Sequence, residues 1–190
     1  MRTIPLRQRG ATLLISLVML AVILLLGTAA ASLLVLDERA ARNHRAHQQA
    51  RLAAQAALDD ACEEIRLGAR IDDAAFPRED GCRADAEGRG LCAGKPTHAG
   101  WRAAQLAGAE PGSAAYGDFT GARPPGNGAA APRYLIERVP DGRETLYRAS
   151  AIGFGPNAAV ARMQGVAVRR ADDAGSARCV WLSWRALSTH

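Results

Sequence analysis

Four cysteines, Cys62, Cys82, Cys92 and Cys179, and four histidines carry the most reactive side chains of this 190-residue chain. A zinc site would want thiolates or imidazoles at short spacing, and the sequence holds no CxxC or HExxH pair. Cys82 and Cys92 stand too far apart for the usual zinc hairpin. His44 and His47 are three apart and share one side of a helix, which could make a weak metal pair; a solvated polar helix face is the better reading. Ser113, in Gly112-Ser113-Ala114, lacks the second glycine of a nucleophile elbow. Gly153-Phe154-Gly155-Pro156 has no lysine or helix-opening glycine after it, so a turn between strands explains it better than a phosphate loop. Asp59, Asp60, Glu63 and Glu64 could pair for acid–base work, but consecutive acids on a helix read as a solvated face. No constellation for catalysis is left, and the chain is expected to be no enzyme and to need no cofactor or metal.

The cysteines have another use. An even number beyond a membrane segment, in an oxidising compartment, suggests two disulfides with three pairings open. Cys82 and Cys92 enclose a short glycine-rich loop and are the easiest pair to close. Cys62 with Cys179 would then tie the long helix to the C-terminal end.

That membrane segment is the strongest feature of the chain. Apolar residues make up 48% of the sequence, and they concentrate in its first forty residues. From Ala11 to Leu36 run 26 residues without a charge, which as a helix would span about 39 Å. That exceeds a hydrocarbon thickness of about 30 Å and allows a tilted crossing. A secretory signal has an apolar core of roughly 7 to 15 residues, so a retained span is expected here. Arg2, Arg7 and Arg9 alone flank it on the N-terminal side, which predicts a cytoplasmic N-terminus and an exported bulk. Without these three arginines the formal net charge of +5 becomes +2, close to neutral. Lys95 is the sole lysine, and no basic block with interleaved aromatics predicts a nucleic-acid partner.

Asp37 to Leu67 contains no glycine or proline and many strong helix formers. It reads as a continuation of the apolar helix, giving one helix of more than fifty residues, about 80 Å long. Ala54, Leu58, Ala61, Cys62 and Ile65 form a narrow apolar stripe able to lie on a sheet, whereas Asp37 to Arg51 is polar nearly all round. Gly68 is the expected stop; Gly27, inside the apolar run, could bend the helix or admit a close neighbour.

Gly68 to Gly128 reads as loops, with one short helix near Trp101 to Leu106 and Cys82 and Cys92 as staples. Strands are expected at Arg133 to Val139, Leu146 to Ile152, Met163 to Val168 and Cys179 to Trp184, the first two joined by a turn at Pro140-Asp141-Gly142. The expected fold is α+β: a long N-terminal helix packed on a small C-terminal antiparallel β-sheet. Its parts are 1–10 as a leader, 11–36 as the transmembrane half of the helix, 37–68 as its stem and 69–190 as a globular region.

One junction remains. Arg7-Gln8-Arg9-Gly10-Ala11-Thr12-Leu13 is a short basic leader, a glycine, and then an apolar helix running unbroken into an amphipathic stem. This resembles the type IV pilin class, and within it the PilX-like minor pilins. Leu36-Asp37-Glu38-Arg39, Asn43 and Gln55-Ala56-Ala57-Leu58 are similar to their stem. Pro132-Arg133-Tyr134-Leu135-Ile136-Glu137-Arg138, Leu146-Tyr147-Arg148 and Gly153-Phe154-Gly155 are similar to their sheet. The resemblance implies cleavage between Gly10 and Ala11 by a prepilin peptidase and N-methylation of Ala11.

Major pilins of this class carry glutamate at the fifth mature position, and that place is here Ile15. A carboxylate in lipid is tolerable mainly opposite a positive partner, which in pilins is taken to be a neighbour's N-terminal amine. A subunit without it stacks poorly into a fibre body, which implies a role in initiating assembly, at or near the tip. Implied partners are other minor pilins, the major pilin, the inner-membrane assembly platform and the prepilin peptidase. Gly27 and the alanines after it would allow close helix approach during assembly. The implied location is the inner membrane, single-pass, with the C-terminal domain periplasmic, and then the fibre. A type II secretion minor pseudopilin would share the leader and stem; a signal-anchored periplasmic enzyme or binding module is the reading from another class.

Overall fold

The computed structural model describes residues 11–95, 101–124, 130–140, 144–173 and 175–187. The leader through Gly10 and the turn residues Asp141 and Gly142 lie outside these. The chain divides into two units, one ending at His44 and the other spanning Arg45–His190.

Helix α1 runs from Ala11–Leu67 and is continuous through Gly27. It ends as its sequence requires: Gly68 adopts φ +70° and donates its N–H to the Glu64 carbonyl at 2.9 Å. A glycine in the left-handed region terminates a helix without the steric cost a side chain would meet.

The second unit is built on a sheet of four long strands, β4 (Arg133–Pro140), β5 (Thr145–Phe154), β6 (Val160–Ala171) and β7 (Ala177–Leu187), in consecutive antiparallel order. Three short strands precede them: β1 (Gly81–Cys82), β2 (Leu91–Ala93) and β3 (Ala114–Ala115). β2 and β3 share the remaining edge of β4, β3 antiparallel and β2 parallel to it. The parallel pair departs from the antiparallel sheet expected. It is allowed because the stretch between β2 and β4, which includes helix α2 (Ala103–Leu106), is long enough for a crossover.

β4 is covered on both faces, which is why its alternation is blurred in the sequence. Tyr134 and Ile136 pack with Ala54, Ala57, Leu58, Ala61 and Ile65 of α1, whereas Leu135 packs with Cys92 and Leu106 beneath α2. The stripe read from the sequence therefore faces the sheet, but it begins earlier: Ala46 and Ala50 are buried too, in a segment that reads as polar all round. Charged neighbours mask these two alanines, because a methyl group adds little to an apolar pattern.

The contact opposite them revises the reading of Gly153-Phe154-Gly155 as a turn. Gly153 and Phe154 belong to β5, and the turn is Gly155–Ala159, where the Gly155 N–H donates to the Ala159 carbonyl at 2.7 Å. A methyl group on Gly153 would overlap the Ala50 carbonyl oxygen and the Ala54 amide nitrogen; one on Gly155 would overlap the Ala46 carbonyl oxygen. Small residues on both sides let helix backbone rest directly on strand backbone.

Two disulfides close the unit. Cys82–Cys92 joins directly opposed residues of β1 and β2, and Cys62–Cys179 joins α1 to β7.

Candidate functional site

Every described side chain from Thr12 to Leu36 is exposed, and none in this span is charged. The backbone is satisfied within the helix, and two of the polar side chains, Ser16 and Thr28, are satisfied there as well. Ser16 donates to the Leu13 carbonyl at 2.9 Å and Thr28 to the Leu25 carbonyl at 3.0 Å. Such back-bonding removes the cost of taking a hydroxyl into an apolar medium. The result is a helical surface whose exposed apolar groups can be covered by lipid or by other helices. Among the described residues it is the one helix long and apolar enough to cross a membrane.

Ile15 lies on this surface, 58% exposed, with no ionisable group in the span to pair with. Gly27 has open space around the position a Cβ would take. Its lack of a side chain serves nothing within the chain and leaves a notch on the helix exterior. Just past the apolar segment, Arg42 pairs with Glu38 one turn earlier at 2.5 Å, a solvated contact that marks the change of surroundings.

In the second unit the helix holds a polar network that the sequence suggests poorly. Of the four consecutive acids, Asp60 and Glu64 are buried rather than solvated. Asp60 accepts from the Gly117 N–H at 2.7 Å and from the Thr120 hydroxyl. Glu64 accepts from the Tyr134 hydroxyl and lies 2.8 Å from the Arg70 guanidinium, which stacks over the Phe119 ring. The two acids are four apart, on the same side as Ala57 and Ala61, and that spacing is the signal that could have identified them. Buried acids persist when neighbours satisfy them; here Asp60 fixes the loop after β3 to the helix, and Glu64 ties the helix to β4 and to the segment that follows α1.

Burial pushes the Glu64 carboxyl above its ordinary 4.5, and the Arg70 guanidinium and Tyr134 hydroxyl only partly offset it. The folded state thus holds this proton more tightly than the unfolded chain. Stability from this group is full below 4.5 and declines as pH rises through the folded value. Glu64→Gln retains an acceptor for Tyr134 without the charge. Its stability relative to the parent is expected to improve from acidic to neutral pH; thermal unfolding in detergent at both conditions checks this, and a flat or opposite trend would contradict it.

On the other face, Glu137 is fully buried and accepts from both Arg148 Nε and Arg148 Nη2, at 2.8 and 2.9 Å, and from Trp101 Nε1 at 3.2 Å. This joins β4 to β5 and to the segment before α2. Ser113 is buried and accepts from Arg133 Nε at 2.7 Å, a structural bond and not a nucleophile's setting. All four cysteines are in disulfides. Among the described residues, no three of His, Cys, Asp and Glu are placed to hold a metal ion, His44 and His47 included.

Residues 9–59 match the family model described as PilX N-terminal. The match starts one residue before Gly10, which lies outside the described residues, covers the exposed apolar segment and ends on the stem at Asp59. No curated protein and no solved structure matches the chain. An N-terminal apolar helix of this kind fits a single-pass, membrane-anchored subunit that associates with other pilus components. Over residues 9–59, and on the helix that carries them, the chain is similar to the PilX-like type IV pilins, the minor pilins of the type IV pilus.

Proposed function

We propose that this chain is a minor pilin, a non-enzymatic subunit that initiates pilus assembly and stays at or near the tip. It is processed between Gly10 and Ala11 by a prepilin peptidase, methylated on Ala11, and held in the inner membrane with its sheet domain in the periplasm until extraction. The observation that carries this reading is Ile15, at the fifth place after Gly10, on an otherwise exposed apolar helix. Assembly replaces lipid contacts of that helix with contacts to other pilins and the assembly platform. A helix without a carboxylate cannot offer a salt link to a following subunit's amine, so it serves best where few such neighbours exist. The notch at Gly27 supports close approach of one neighbouring helix.

Mass spectrometry of the membrane protein tests the processing step. Cells with an active prepilin peptidase should yield a chain starting at methylated Ala11, and Gly10→Val should retain the ten-residue leader, positions 1–10, and reduce piliation. An intact leader in the parent protein would overturn the pilin processing scheme. Position is tested separately: deletion should lower the number of fibres more than their length, and regular high abundance along sheared fibres would exclude the tip.

A further inference from the structure

β7 is the outer edge of the sheet, and along its 11 residues it has no strand partner on its far side among the described residues. Long edges are normally blunted by proline, charged side chains, bulges or shortness; β7 is long and contains no proline or lysine, and its charges are arginines alone. It does contain a bulge, since Val166 pairs with Ser183 and Ala167 with Trp181, leaving Leu182 as the extra residue. The bulge has a particular effect. Trp181 and Trp184 are three apart and would point to opposite faces of a regular strand, but here both point to the α1 side. With Gln55, Leu58, Asp59 and Met163 they line a small cavity of about 90 Å³ beside the edge. Leu182 and Trp184 are 52% and 59% exposed, the two large apolar side chains of the sheet that face solvent to this degree among the described residues; the others in this unit, Leu52 and Leu67, are on α1.

Charge on this hairpin is one-sided. β6 and β7 carry Arg162, Arg169, Arg170, Arg178 and Arg185 and no acid; Asp172 and Asp173 are in the connecting turn. Arg170 pairs with Glu144 and Arg185 with the Gln164 amide, whereas Arg178 and Arg185 both lie exposed on the edge strand itself. The arginines are scattered in the sequence and brought together by strand pairing.

We propose that the β7 edge is a docking site for an extended, acid-bearing segment of another protein chain, which adds to the sheet as a further strand. Unsatisfied ladder groups bind its backbone, Arg178 and Arg185 select its acids, and the cavity between Trp184 and Leu58 takes one of its apolar side chains. This surface is separate from the apolar helix, and the inference does not depend on a tip position.

A ten-residue peptide of alternating valine and glutamate, its lysine counterpart and a single-stranded DNA oligomer are titrated against the full detergent-solubilised protein, followed by tryptophan fluorescence. The acidic peptide should bind saturably. Arg178→Glu with Arg185→Glu should weaken it by about tenfold or more at low salt. Trp184→Ala, at an exposed site that leaves the fold intact, should weaken it as well. Isotope-edited infrared spectra with labelled peptide should show new interchain strand pairing. Equal binding of both peptides, binding without strand pairing, DNA binding in place of peptide, or no binding at all would each overturn the proposal.

Discussion

Replacing Gly153 with alanine is expected to destabilise the sheet unit by about 3 kcal/mol or more, at or beyond the upper end of typical overpacking costs. The added methyl group would meet backbone atoms, the Ala50 carbonyl oxygen and the Ala54 amide nitrogen, and these cannot turn aside as a side chain can. The helix would have to lift from β5, and the lift would spread along the buried row of Ala46, Ala50, Ala54, Ala57 and Ala61. Each of those alanines gains from contact only while the two backbones are close, because packing loses much of its attraction over a gap of less than an ångström. Gly153→Val should be worse, failing to accumulate as folded protein. Gly27→Ala is the matched control: nothing surrounds that position, and removing a glycine from a helix interior should be neutral or favour the helix by up to about 1 kcal/mol. Thermal unfolding of the variants side by side checks the contrast, and similar midpoints for Gly153→Ala and the parent would refute the close-packing account.

The double variant Cys62→Ser, Cys179→Ser is expected to lose a comparable amount by a different route. This bond closes a sequence separation of 117 residues, for which the chain-entropy model gives about 5 kcal/mol. Cys82–Cys92 closes a separation of 10, for which the same model gives roughly 3 kcal/mol. The long bond should therefore matter more than the short one, by a margin visible in melting temperature. For a unit of this size its loss corresponds to a drop on the order of 10–20 °C. Reducing and non-reducing gels establish the bonding state, and calorimetry of the two double variants gives the order; a larger loss for Cys82 and Cys92 would show that native-state packing at the loop outweighs chain entropy.

Much of this molecule was legible because its largest signals are one-dimensional. The charge-free run from Ala11 to Leu36, the absence of breakers down to Leu67 and the glycine at 68 specify α1 with little help from the rest of the chain. The four long strands announced themselves by β-branched and aromatic residues between turns, each a residue or more shorter than observed because Gly153 and flanking alanines carry no strand signal. What stayed hidden depends on contacts between distant segments. Asp60 and Glu64 look like solvated acids until Thr120, Arg70 and Tyr134 are placed around them. Gly155 reads as a turn residue, and its second purpose appears only with Ala46 above it. The parallel pairing of β2 with β4 could not be read at all, since Leu91-Cys92-Ala93 is too short to carry a period.

The bond between Cys62 and Cys179 has a mechanical meaning as well as a thermodynamic one. Tension entering this unit along α1 meets, near the helix end, a covalent route straight into β7 and bypasses every strand between. The chain from Cys62 to Cys179 therefore cannot be drawn out by a pull between the helix and the C-terminus. At about 3.5 Å per residue, roughly 400 Å of contour length is withheld from extension. A subunit in a fibre under load would transmit force through one sulfur pair, and its sheet, with the exposed β7 edge, would keep its shape while the load lasts.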